Sequence, residues 1–139
     1  MDFSKIIAVS GKPGLYLTIS QTKSGFIVES LIDKKRFPIT SSSNVSLLEN
    51  IAIYTYEEEI PLLTVFKSIY DKEEGKEALS HKESNHQLMA YFSEVLPDYD
   101  ADRVYASNIK KVIQWYNILV QAGMDFSAVQ SSQEDSDNA

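Results

Sequence analysis

No cysteine occurs in this chain, which excludes disulfides and thiolate metal sites. The absence suits a reducing interior. Only two histidines are present, His81 and His86. Their separation of five misses the i, i+4 spacing that puts two imidazoles on one helical face. No metal and no cofactor are therefore expected. Long apolar runs are missing too: nothing approaches the roughly 18 residues of a membrane helix. The opening MDFSKIIAVSGK is interrupted by charge too early for a secretory h-region. A soluble, cytoplasmic chain without a membrane partner is expected. Tryptophan appears once, as Trp115, and residues 1–56 have none.

What is present is unevenly distributed. The 139 residues carry a formal net charge of -7. Residues 1–56 nevertheless hold six cations (Lys5, Lys12, Lys23, Lys34, Lys35, Arg36) against four acids (Asp2, Glu29, Asp33, Glu49), so the remainder is strongly acidic. An acidic second part repels polyanions unless it faces away from them.

The first part is written in period two. KIIAV (5–9), LYLTIS (15–20), FIVESLI (26–32), RFPIT (36–40) and IAIYTY (51–56) have strand length and are separated by turn residues. The stretch SGKPGLYL offers glycines and a lysine after an apolar run, but its spacing is wrong for a phosphate loop. A strand follows instead of a helix, and Pro13 has no N–H to give an anion. Lys12-Pro13-Gly14-Leu15 instead fits a type II turn. Pro38 assigns RFPIT to an edge or a bulge. Ser46-Leu47-Leu48-Glu49 has capping-box form and predicts one helical turn before the last strand. Five short strands with that turn before the fifth predict an SH3-like β-barrel. The missing tryptophan argues against recognition of proline motifs.

From residue 57 the period becomes helical. Leu62, Val65, Phe66, Ile69 and Tyr70 share one face, with Pro61 in the first turn, Glu57–Glu59 at the positive end of the dipole and Gly75 as a stop. Ser84–Gln87 forms another capping box, before Leu88, Met89, Phe92, Val95 and Leu96, and Pro97 ends that pattern. Ile109, Val112, Ile113, Tyr116, Leu119 and Val120 make a third stripe, with Ser107 as cap and Gly123 as terminator. Residues 127–139 have too little apolar surface to offset their ordering entropy, so they predict a disordered acidic tail. The expected organisation is an α+β chain: an SH3-like barrel over 1–56, about three α-helices over 57–126, then the tail.

Candidate sites are sparse. Asp98-Tyr99-Asp100-Ala101-Asp102 imitates a calcium loop, but Arg103 replaces its glycine and Ile109 its bidentate glutamate. Asn108, Lys110, Lys111 and Gln114 suggest a DNA-reading helix, yet the preceding connection is long and carries three aspartates. Adjacent Glu57, Glu58 and Glu59 scatter around a helix and do not converge as an acid–base pair. Lys12, Lys23, Lys34, Lys35 and Arg36 in turns, with Tyr16 and Tyr54 on strands beside Tyr56, form the candidate contact set for a single-stranded nucleic acid, cations for the backbone and rings for the bases. Trp115 adjoins the third apolar stripe and is the candidate anchor for a protein partner. No catalytic residues are assigned, because no acid, base, nucleophile or metal set can be assembled.

SGKPGLY, SQTKSGFIVESL, KKRFP, LENIAIYT and ADRVYASNIKKVIQWYNIL together resemble a family of small, uncharacterised proteins of Bacteroidetes-type bacteria, over nearly everything up to Phe126. The resemblance implies a cytoplasmic bacterial protein with an N-terminal module joined to a helical one, and it imports no active site. The expected function is a non-enzymatic interaction module, binding a protein partner or itself through the barrel or the groove between barrel and helices. The alternative is an RNA-associated module using the basic turns.

Overall fold

In the computed structural model, residues 3–12, 14–40 and 44–127 are described. The chain divides into two units, Met1–Ile51 and Ala52–Ala139. In the first, alternating apolar and polar residues form β1 (Ile6–Val9), β2 (Tyr16–Gln21), β3 (Gly25–Ser30), β4 (Arg36–Thr40) and β5 (Val45–Leu47). They build an antiparallel sheet of order β4-β3-β2-β1-β5. Because strand side chains alternate between faces, the register puts Ile7, Tyr16, Val28 and Ile39 on one side. They bury together with Val9, and Phe26, Phe37 and Val45 pack against them. This one cluster thus draws side chains from all five strands.

β4 and β5 are the two edges of the sheet, so it is not closed. A five-stranded antiparallel sheet is what the strands form, and its roster differs from the expected one. The fifth strand is Val45–Leu47, which the capping-box reading of Ser46–Glu49 obscured. Ser46 pairs with Ala8, and the 3-10 turn follows at Leu48–Asn50 without a side-chain cap. Pro38 does lie on an edge strand, opposite Ile27. Pro13 lies outside the described residues, but Gly14 has φ +82°, the left-handed region that the second central position of a type II turn requires. Gly25 serves a different need: a Cβ there would stand 1.9 Å from the Ile39 carbonyl oxygen, so only glycine admits β4 at this distance.

In the second unit, IAIYTY does form a strand, β6 (Ala52–Tyr54), but it pairs with β7 (Glu59–Pro61) and takes no part in the five-stranded sheet. Glu59 and Pro61, read as part of a helix start, belong to this hairpin. Helix α1 runs Leu62–Lys72, α2 Asn85–Val95 and α3 Ala106–Gln121. Their apolar stripes meet: Leu62, Val65, Phe66 and Ile69 of α1, Leu88 and Phe92 of α2, and Ile109, Val112, Ile113, Tyr116 and Leu119 of α3 are all buried. Phe66, Tyr116 and Phe126 form the centre, with ring centroids 5.6–6.2 Å apart.

The capping box of α2 is present, since Ser84 Oγ accepts from Gln87 N and Gln87 Oε1 accepts from Ser84 N. For α3 the cap is Tyr105, not Ser107. Asn108 Oδ1 accepts from Tyr105 N at 2.9 Å, which leaves Ser107 inside the first turn. Gly123, with φ +95°, ends α3 where expected, and Met124 N donates back to Leu119 O. The tail from residue 128 onward lies outside the described residues.

Candidate functional site

Register decides where the basic turns lie. Pairing Ile7 with Tyr16, Tyr16 with Ser30 and Glu29 with Arg36 brings residues 10–12, 14–15 and 31–36 to one end of the sheet. Lys12, Lys34, Lys35 and Arg36 therefore share that end. Lys23 sits in the β2–β3 turn at the opposite end, where Thr22 N donates to Gly25 O. At about 3.3 Å per residue, a six-residue strand separates the two ends by about 20 Å. Arg36 is already engaged, its Nε 3.0 Å from Glu29 Oε1. Lys12 Nζ stands 5.0 Å from the Phe37 ring centroid. Lys34 and Lys35 are exposed, and Lys34 adopts φ +64° in a loop where Asp33 accepts from Lys35 N.

Tyr16 does not project outward as its strand position suggested. It is buried and meets Phe37 edge-on, with ring centroids 5.4 Å apart. Burial, reinforced by the charge of Asp33, raises its phenol above the ordinary value. The reason is register: Tyr16 faces the same side as Ile7 and Val28.

Tyr54 belongs to the other unit, on a face that the sequence alternation did foretell. Ile53 and Thr55 point inward and are buried, whereas Tyr54 is 38% exposed and Tyr56 64%. Thr55 closes the β6–β7 turn: its N and Oγ1 donate to Glu58 O, and its Oγ1 accepts from Glu58 N. Tyr56 sits in that turn and its N donates to Asp98 O, while Asp100 N donates to Tyr54 O. The acidic stretch read as a calcium-loop imitation thus runs antiparallel beside Tyr54–Tyr56, joined there by the isolated Thr55–Tyr99 bridge. Asp100 Oδ2 accepts from Arg103 Nε at 2.7 Å, and this bond holds the Asp100 carboxyl below the ordinary carboxylate value. The guanidinium so positioned lies 4.2 Å from the Tyr54 ring centroid, a cation–π stack. Two exposed tyrosines and one fixed arginine share this face.

Trp115 is half-buried on α3, beside the fully buried Tyr116. Its neighbours reveal what the sequence reading missed. Asn117 Oδ1 accepts from Ala78 N at 2.7 Å and its Nδ2 donates to Leu79 O, while Tyr116 OH donates to Lys76 O at 2.8 Å. α3 therefore clamps the α1–α2 connection. Tyr91 OH donates to Glu73, and burial with that bond raises the Tyr91 phenol far above its ordinary value. Burial, with Lys82 and Lys110 nearby, lowers His81 below its ordinary value. Among the described residues, no three of His, Asp and Glu group as metal ligands, and every buried side-chain nitrogen or oxygen has a hydrogen-bond partner. No helix there is long and apolar enough to cross a membrane.

Comparisons with known proteins follow the same division. Residues 3–48 match Domain of unknown function (DUF5606), and residues 51–119 match Domain of unknown function (DUF6852). No curated protein matches the chain. Among solved structures, the chain is similar to a Bacteroides vulgatus protein determined by solution NMR as a structural-genomics target. The two share 44% identity, covering 94% of this chain and 96% of that one, with a TM-score of 0.76.

Proposed function

The chain belongs to an uncharacterised family of Bacteroidetes-type bacterial proteins that joins two domains of unknown function, and from that premise we propose that it is a non-enzymatic, cytoplasmic interaction module docking a protein partner on the Tyr54–Tyr56–Arg103 face. The carrying observation is the exposure of Tyr54 and Tyr56 beside a guanidinium locked by Asp100. Tyrosine and arginine are the residues most enriched where binding energy concentrates, and a face held rigid before binding loses less entropy on docking. The sheet unit is an SH3-like barrel with an open seam. Its strand order, the β2 irregularity between Thr18 and Ser20, and a cluster joining Ile39 to Val45 from opposite edges all support that reading.

A photo-crosslinking residue at position 56 of the full chain tests the proposal in native lysate. A discrete protein adduct, absent when the same residue replaces exposed Glu83, supports it; identical adduct patterns at both positions overturn it. A second reading, binding of single-stranded nucleic acid, is supported by Lys12, Lys34 and Lys35 sharing one sheet end. It loses Tyr16 to the core and Lys23 to the far end. Salt-sensitive binding of a polynucleotide, abolished by Lys34→Gln with Lys35→Gln, would favour it.

A further inference from the structure

The sheet unit contains a cavity of about 410 Å³. Its walls are Ile7 of β1, Phe26 of β3, and Val45 and Leu47 of β5, with Thr18 of β2 and Lys5 also lining it. Register explains why these side chains converge. Ile7 stands opposite Leu47, Thr18 pairs with Val28, and Phe26 lies one inward position further along β3. The strand side chains belong to the face that carries the buried cluster, so the cavity lies at the margin of that core and opens to the surface beside exposed Lys5 and Leu47. Leu47, on the sheet's outer strand, is 37% exposed, an apolar side chain presented to water. Lys5 ends the 3-10 turn that leads into β1, is exposed, and forms no ion pair with a carboxylate among the described residues.

We propose that this cavity binds an amphipathic monocarboxylate, its apolar body between Ile7, Phe26, Val45 and Leu47 and its carboxylate on the Lys5 ammonium. The volume falls in the range of small-molecule sites, which are mostly apolar with a few polar groups that fix orientation. Here the apolar walls select a hydrocarbon body and the Lys5 ammonium selects an anionic head. A charge-assisted hydrogen bond from Lys5 adds to the burial of the chain. An apolar alcohol would gain the walls but not the charge. The site is independent of the Tyr54–Tyr56–Arg103 face and is carried by another unit.

The probe is decanoate, titrated below its micellar concentration into the isotope-labelled full chain, with decanol as the neutral comparison. Saturable amide and methyl shifts centred on Ile7, Phe26, Val45 and Leu47 are expected, with decanol binding about tenfold more weakly. Lys5→Gln reduces decanoate affinity by about the same factor and leaves decanol unchanged. Leu47→Glu places a carboxylate at an exposed position, where the fold tolerates it, and abolishes decanoate binding. An unchanged amide spectrum away from position 47 confirms that this variant is folded. Absence of saturable shifts overturns the proposal. So does equal affinity for decanoate and decanol, or a response confined to the Lys34–Lys35 loop.

Discussion

Single residues carry consequences out of proportion to their size. Gly25 is the plainest, because its missing Cβ is the space occupied by the Ile39 carbonyl. Gly25→Ala is expected to destabilise the protein by about 2–3 kcal/mol, read by chemical denaturation, since relief requires moving β4 backbone. Lys34 works in the opposite sense. With φ +64° it pays a left-handed penalty that glycine avoids, so Lys34→Gly should stabilise by up to about 1 kcal/mol in the same assay. His81 supplies a pH signature. Its folded-state value lies below the ordinary 6.5, chiefly through burial, so the unfolded chain binds the proton more readily. Stability should therefore be full above pH 6.5 and fall as pH drops below it; His81→Gln should flatten that slope in melting curves. Asp100 behaves conversely for an acid. Its depressed value, set first by the Arg103 side chain and also by the backbone N–H groups of Asp102 and Arg103, contributes stability that is lost only as pH falls below the ordinary aspartate range, and Arg103→Ala should reduce this contribution.

At the scale of elements, periodicity proved legible wherever a stripe was long. The α2 boundaries, the α3 stripe and its Gly123 stop follow from spacing and caps alone, and β1 to β4 follow from alternation. Of the three-residue strands, β6 was legible in the alternation of IAIYTY, whereas β5 and β7 were not. Val45–Leu47 has too few positions to show a period, and Ser46–Glu49 spelled a capping box that strand pairing with β1 overrode. Glu59–Pro61 read as a helix start because its pairing to β6 is set by a turn, closed through Thr55 and Glu58, that leaves no distinctive signature. The candidate face was half legible. Alternation in IAIYTY marked Tyr54 and Tyr56 as outward, whereas their place outside the sheet, and the Arg103 partner 49 positions from Tyr54, depend on long-range bridging through Tyr99. The i, i+3 spacing of Asp100 and Arg103 was the available hint. Caps offer a direct check: Ser84→Ala should cost about 1 kcal/mol of stability, because it leaves Gln87 N without its acceptor.

Over the whole molecule, charge and chemistry point the same way. The net charge of -7 disfavours polyanions, and the candidate contact cations Lys12, Lys23, Lys34, Lys35 and Arg36 are split between two ends of the sheet, with Arg36 already paired. The described surface also exposes large aromatic and apolar side chains, among them Tyr54, Tyr56 and Tyr105 in the second unit and Ile32 and Leu47 in the first. A face of tyrosines beside a fixed arginine carries the side-chain types in which binding energy concentrates, which supports the proposed docking of a protein partner. The decisive measurement is quantitative mass spectrometry of proteins co-purified with the tagged full chain and with its Tyr56→Ser variant, after equal melting temperatures have been verified. At least one protein should be enriched by the parent chain and fall about tenfold with the variant; an identical set at identical enrichment would contradict the account.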